Sequence, residues 1–147
     1  MKRSTLMFLA VLSMILLCGT VVAAGDLDPT GAWQVTRSNS KTMGPCPMGG
    51  NGGGELEIEK AAGGFTLTYG DGMTCRPAEV CRLTGSETEG TYAFTTTVPV
   101  DDEGGNVTNA AEIEFTSSTA ASGTGSSKYV HPEGFSCTWT CDIALSR

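Results

Sequence analysis

The sequence predicts an all-β domain: an antiparallel up-and-down barrel of eight strands, with a β-sandwich as the alternative. Three observations carry this reading. Apolar residues fall at every second position in eight short segments, the period of a strand with one buried face. Beyond residue 24, Gly and Thr are abundant and the helical spacing of three and four is absent. Turn residues separate the segments at short intervals, as in a meander.

Residues 1–24 read as a secretory leader outside the fold. Lys2 and Arg3 form a positive start, Leu6 to Cys18 an apolar run, and Val22-Ala23-Ala24 a small-residue cleavage site. The run is too short and too early for an ordinary spanning helix, and no later segment approaches ~20 apolar residues. A lipid anchor at Cys18 is the minor reading, because Leu17 stands where such sites want a small residue. Residues 25–147 then form a single domain, secreted or periplasmic.

Strand candidates follow in order. Trp33 and Val35 alternate within Ala32–Ser38, Leu56 and Ile58 within Gly54–Lys60, and Phe65, Leu67 and Tyr69 within Gly64–Tyr69. Val80–Thr84 comes next, then Thr91–Val98 with Tyr92, Phe94, Thr96 and Val98 on one face. Ile113 and Phe115 mark Ala110–Ser117, and Gly123–Val130 is a weaker, polar segment. The last, Phe135–Leu145, has the strongest pattern: Phe135, Cys137, Trp139, Cys141, Ile143 and Leu145.

The connections sort into two kinds. Those after strands two, four and six are short. Those after strands one, three and five (Asn39–Gly53, Gly70–Glu79 and Pro99–Asn109) are long. In a meander the odd links share one end, so one end is tightly turned and the other is a loop-rich mouth.

With the leader gone, seven basic side chains face sixteen acidic ones, a net charge of −9. Phosphate neutralisation needs clustered Lys and Arg, so nucleic acid is not an expected partner. Five cysteines remain: Cys46, Cys75, Cys81, Cys137 and Cys141. Export favours bridging them, but five allow at most two bridges, and the pairing is open. Cys137 and Cys141 lie about 13 Å apart along a regular strand and cannot bridge each other. Cys75 and Cys81 flank a Pro-containing loop and could staple it. Cys46 suits Cys137 if the first and last strands close a barrel, leaving Cys141 as the odd thiol on the apolar face.

Gly31-Ala32-Trp33 opens the first strand, and Arg147 follows the last. The pair resembles the calycin superfamily (lipocalins, fatty-acid-binding proteins and avidins), whose members begin with Gly-x-Trp and carry a basic residue stacked across that Trp. The resemblance covers the two ends only. It implies a barrel plugged at the narrow end by Trp33 and Arg147, where a guanidinium roofs an indole.

Catalysis is not expected. His131 is the only histidine, and no serine or cysteine is tied to it by a motif. Glu57 with Glu59, and Glu112 with Glu114, alternate with apolar residues as the wet face of a strand does. No cofactor is expected. Asp101-Asp102-Glu103 reads as a solvated turn, because its spacing matches no calcium loop. Three functions remain. The first is a carrier of a small apolar ligand, with Phe94, Phe115, Phe135 and Trp139 as wall residues. The second is a filled domain acting through its surface on a protein partner, as an envelope interaction or inhibitor module. The third is a soft-metal site for copper from Met43, Met48, Met73 and His131, joined by Cys46 and Cys75 if those thiols are reduced.

Overall fold

The computed structural model describes residues 27–73, 75–100 and 104–147. The leader and the acidic run Asp101–Glu103 lie outside the described residues. Eight antiparallel strands form one closed barrel in chain order. They are β1 (Gly31–Met43), β2 (Gly52–Ala61), β3 (Gly64–Tyr69), β4 (Arg82–Thr88), β5 (Thr91–Val100), β6 (Gly105–Ser117), β7 (Ala120–Val130) and β8 (Ser136–Ser146). Closure comes from β1 pairing with β8, from Gln34 opposite Ser146 to Met43 opposite Thr138. The sandwich alternative is thereby set aside, and every strand has a hydrogen-bonded neighbour on both sides.

Boundaries differ from the sequence reading where local chemistry intervenes. Ala78–Cys81 forms a short 3-10 turn, so β4 begins at Arg82 and not at Val80. The expected Pro99–Asn109 loop is mostly strand, because Val100 pairs with Gly105 and Pro99 with Asn106. Proline is tolerated there because the β4 ladder stops at Thr95, leaving no partner for a Pro99 N–H to serve. Strand β1 runs five residues past Ser38, through a bulge at Asn39 and Ser40. Asn39 has φ +52°, and its amide donates to Asp142 Oδ2 at 2.7 Å, which supports the left-handed backbone.

Turn length segregates the two ends. The links Ala62–Gly63, Glu89–Gly90 and Ser118–Thr119 are two-residue hairpin turns at the closed end. Both Glu89 and Gly90 have positive φ, the requirement of a turn that follows the right-handed strand twist. The longer links, residues 44–51, 70–81 and 131–135, gather at the mouth.

The core fills the closed half. Trp33, Leu56, Ile58, Leu67, Leu83, Phe94 and Ile113 are almost completely buried. Rings run in a chain across the floor: Trp33 to Phe115 at 5.2 Å, Phe115 to Tyr92 at 5.1 Å, and Tyr92 to Phe65 at 5.2 Å between centroids. Residues 27–30 cross beneath them, with Pro29 fully buried. Each carbonyl of this segment accepts from a side chain. Tyr92 Oη donates to Leu27 (3.2 Å), Arg147 Nη2 to Asp28 (3.3 Å), Trp33 Nε1 to Pro29 (2.9 Å) and Arg147 Nη1 to Thr30. The Arg147 guanidinium carbon lies 4.1 Å from the Trp33 ring centroid, and its Nε donates to Ser118 O at 2.7 Å.

Truncating the floor has a defined cost. Trp33→Ala should lower unfolding free energy by about 3–5 kcal/mol, the usual range for a buried Trp. Arg147→Lys keeps the charge but loses the planar fork, so it should also unfold at lower urea. A Lys variant as stable as the parent in urea titration would show that the fork contributes nothing.

Candidate functional site

Above the floor, the mouth half of the barrel is partly hollow. Two loops fold over it from different sides. Residues 44–51 lie across Trp139, whose Nε1 donates to Pro47 O at 2.9 Å. Gly49 N donates to Thr42 Oγ1 at 2.8 Å, and Ser40 Oγ to Gly50 O at 3.1 Å. A Cβ on Gly49 would sit 2.8 Å from the Trp139 ring, so this position needs glycine for the loop to approach. A disulfide from Cys46 to Cys137 (Cα–Cα 5.6 Å) fastens the same loop to β8.

The second roof is residues 70–81, closed on itself by Cys75–Cys81 with Cα atoms 5.5 Å apart. Its Val80 is buried, and the Val80 carbonyl accepts from Asn109 Nδ2 at 2.9 Å. This loop tucks against β3 to β6 and fills that side. Two disulfides suit an oxidising compartment.

Between the roofs and the floor remains a cavity of about 280 Å³. Its apolar wall includes Val35, Met73, Trp139 and Ile143, and its polar wall Arg37, Tyr69, Asn109 and Cys141. A larger hollow of about 620 Å³ involves Asn39, Thr124 and Asp142, but these are exposed outward members of the wall. The interior cavity owes its space to β7, whose inward residues before Tyr129 are the small Ala121, Gly123, Gly125 and Ser127. A Cβ on Gly125 would lie 3.3 Å from Cys141 Sγ and 3.6 Å from Ile143 Cγ2.

The polar wall has one fixed charge. Arg37 continues the inward face of Trp33 and Val35, and its Nε is buried without a hydrogen-bond partner. Burial raises the Tyr69 phenol from 10.0 to about 12, with the nearby Cys141 adding to the rise and Arg37 opposing it. Burial likewise raises the Cys141 thiol, against the pull of Arg37 and a hydrogen bond with Gly125. Both groups are therefore neutral near pH 7, and Arg37 stands as a cation among them.

Of the four aromatic residues expected to wall a ligand, the structure places Trp139 in the cavity lining. Phe94 and Phe115 belong to the packed core, where Phe115 meets both Trp33 and Tyr92. Phe135 precedes β8 and lies outside, stacked on His131 at 4.3 Å. Of the suggested soft-metal donors, Met73 packs against the core, Met48 is 90 % exposed, Met43 is 60 % exposed, and Cys46 and Cys75 are bridged. Among the described residues, no three His, Cys, Asp or Glu side chains are grouped to hold a metal ion. Cys141 is a free thiol, and Trp33 and Arg147 meet at the floor.

Sequence reasoning missed Arg37, Tyr69 and Asn109 as lining residues. The signal for Arg37 was present in the Trp33–Val35–Arg37 alternation. No comparable signal marked Asn109, whose place depends on the Val80 carbonyl folding inward.

Tyr69 generates a pH test. Its folded pKa lies above the ordinary 10.0, so stability is unaffected below that pH and is lost as pH rises toward 12. The loss should be on the order of 1–2 kcal/mol after allowance for partial exposure. Denaturant titrations at rising pH should show this decline in the parent, and Tyr69→Phe should reduce it. An equal decline in both proteins would assign it elsewhere. No protein-family model matches this chain, and no curated protein matches it in sequence.

Proposed function

We propose that this chain is an exported, calycin-like binding protein that takes a small, largely apolar ligand into its mouth-side cavity. The observation that carries the reading is the division of the interior. Fully packed side chains fill the closed half, whereas small β7 residues leave about 280 Å³ open beneath the mouth loops. Pockets for small molecules are concave, mostly apolar and supplied with a few fixed polar groups, as this one is. The closed eight-strand meander with Arg147 laid over Trp33 supports the calycin-like build. The two disulfides and the leader-like start support export.

A second reading has one observation in its favour. The mouth rim exposes apolar side chains: Met48 at 90 %, Met43 at 60 % and Phe135 at 43 %. Such a rim suits a protein partner docking on the loops, in which case the cavity would be incidental.

The indole N–H resonance of Trp139 separates the two. Titration with 1-naphthol as a small lipophilic probe should shift it saturably. Gly125→Val fills the cavity and should weaken the binding about tenfold, a difference of about 1.4 kcal/mol. A Trp139 signal indifferent to the probe, in a folded parent protein, would favour the rim.

A further inference from the structure

Resting on the binding reading above, we infer that the ligand is a small organic carboxylate, its anionic head against Arg37 and its apolar body along Trp139. Arg37 is the observation that calls for an anion. The β1 alternation directs it inward after Trp33 and Val35, and it lines the cavity with Tyr69 and Cys141. Its Nη2 would be 3.4 Å from a Cβ at Gly52, so the guanidinium extends beside a position that has no side chain. The Arg37 side chain has no hydrogen bond or ion pair among the described residues, and its Nε is buried.

Burial is what sets Arg37 apart, because no described Lys or Arg forms an ion pair, yet only Arg37 has a buried side-chain nitrogen without a partner. Sixteen acidic side chains are available in the whole sequence, yet no described acid pairs with this interior cation. A lysine in the same place could lose its proton, but a guanidinium keeps its charge at any pH where the protein is folded. Its partial desolvation is therefore a standing cost, and a bound anion would offset it. Carboxylate matches the planar fork in a two-pronged geometry. The neutral Tyr69 phenol can add a third donor. Asn109 Oδ1, the other buried atom without a partner, is an acceptor on β6 and does not compete with Arg37 for the anion.

Cavity volume limits the rest of the molecule. At roughly 30 Å³ per water-sized unit, 280 Å³ holds on the order of ten non-hydrogen atoms. That accommodates the whole of an aryl acetate or a medium-chain acid. Trp139 and Met73 supply faces for a ring or a short chain.

The test uses the mature protein with two acid–amide pairs: phenylacetate with phenylacetamide, and octanoate with octanamide. Affinities are read from the Trp139 indole resonance at pH 7 and low salt. Each acid should bind about tenfold or more tightly than its amide, as expected for one charge-assisted contact. Arg37→Leu should abolish that preference, and Arg37→Lys should keep part of it. Amides binding as tightly as acids to the parent would overturn the carboxylate assignment while leaving an apolar binding site intact. A preference that survives in a folded Arg37→Leu protein would also overturn it. Silence of all four probes would overturn both the carboxylate assignment and the binding reading.

Discussion

The contact on which the rest of the barrel depends is the one between Arg147 and the segment it covers. One guanidinium lies over the Trp33 indole and donates to three carbonyls, those of Asp28, Thr30 and Ser118. With Trp33 serving Pro29 and Tyr92 serving Leu27, four consecutive carbonyls are satisfied without any sheet partner. Backbone crossing a barrel floor must solve that problem, because unpaired carbonyls beside a dry core are costly. The same contact joins the segment before β1 to the residue after β8, just below the seam where those strands meet. Chain closure and floor closure are thus one event.

A sealed floor changes what the opposite end can be. The aromatic row and the aliphatic layer above it place most buried surface in the closed half. The mouth half can then be hollow and polar at moderate cost. Its loops are held by covalent and directional contacts: Cys46–Cys137, Cys75–Cys81, and hydrogen bonds from Trp139, Ser40 and Asn109. These order the loops without filling the space beneath them. The bulge at Asn39 contributes by turning the end of β1, bringing Ser40 within reach of Gly50 and Asn51.

Much of this was legible in the sequence, for physical reasons that name the limits as well. Period-two alternation reports which face is buried, so eight strands and their closed and open ends could be read from residues such as Phe94, Ile113 and Leu145. Alternation does not report whether the buried face is packed or hollow. Phe94 and Phe115 look like ligand walls on the same grounds as Trp139, yet only Trp139 lies above the packed layer. Polarity misled at β7, where Gly125 and Ser127 weigh against a greasy interior. Their smallness, and not their polarity, is what leaves room. Arg37 was overlooked because a charged residue at the end of an apolar run reads as the start of solvent.

A sealed floor and an accessible mouth require the two indoles to behave differently in hydrogen exchange. Trp33 is buried and bonded to Pro29, so its Nε1–H should exchange only when the whole barrel unfolds. Trp139 is partly exposed and bonded to a loop carbonyl, so its Nε1–H should exchange by local opening, orders of magnitude faster. That contrast, measured by NMR at neutral pH, is the expected result. Equal protection of the two indoles, or faster exchange at Trp33, would contradict a barrel closed at one end and hollow at the other.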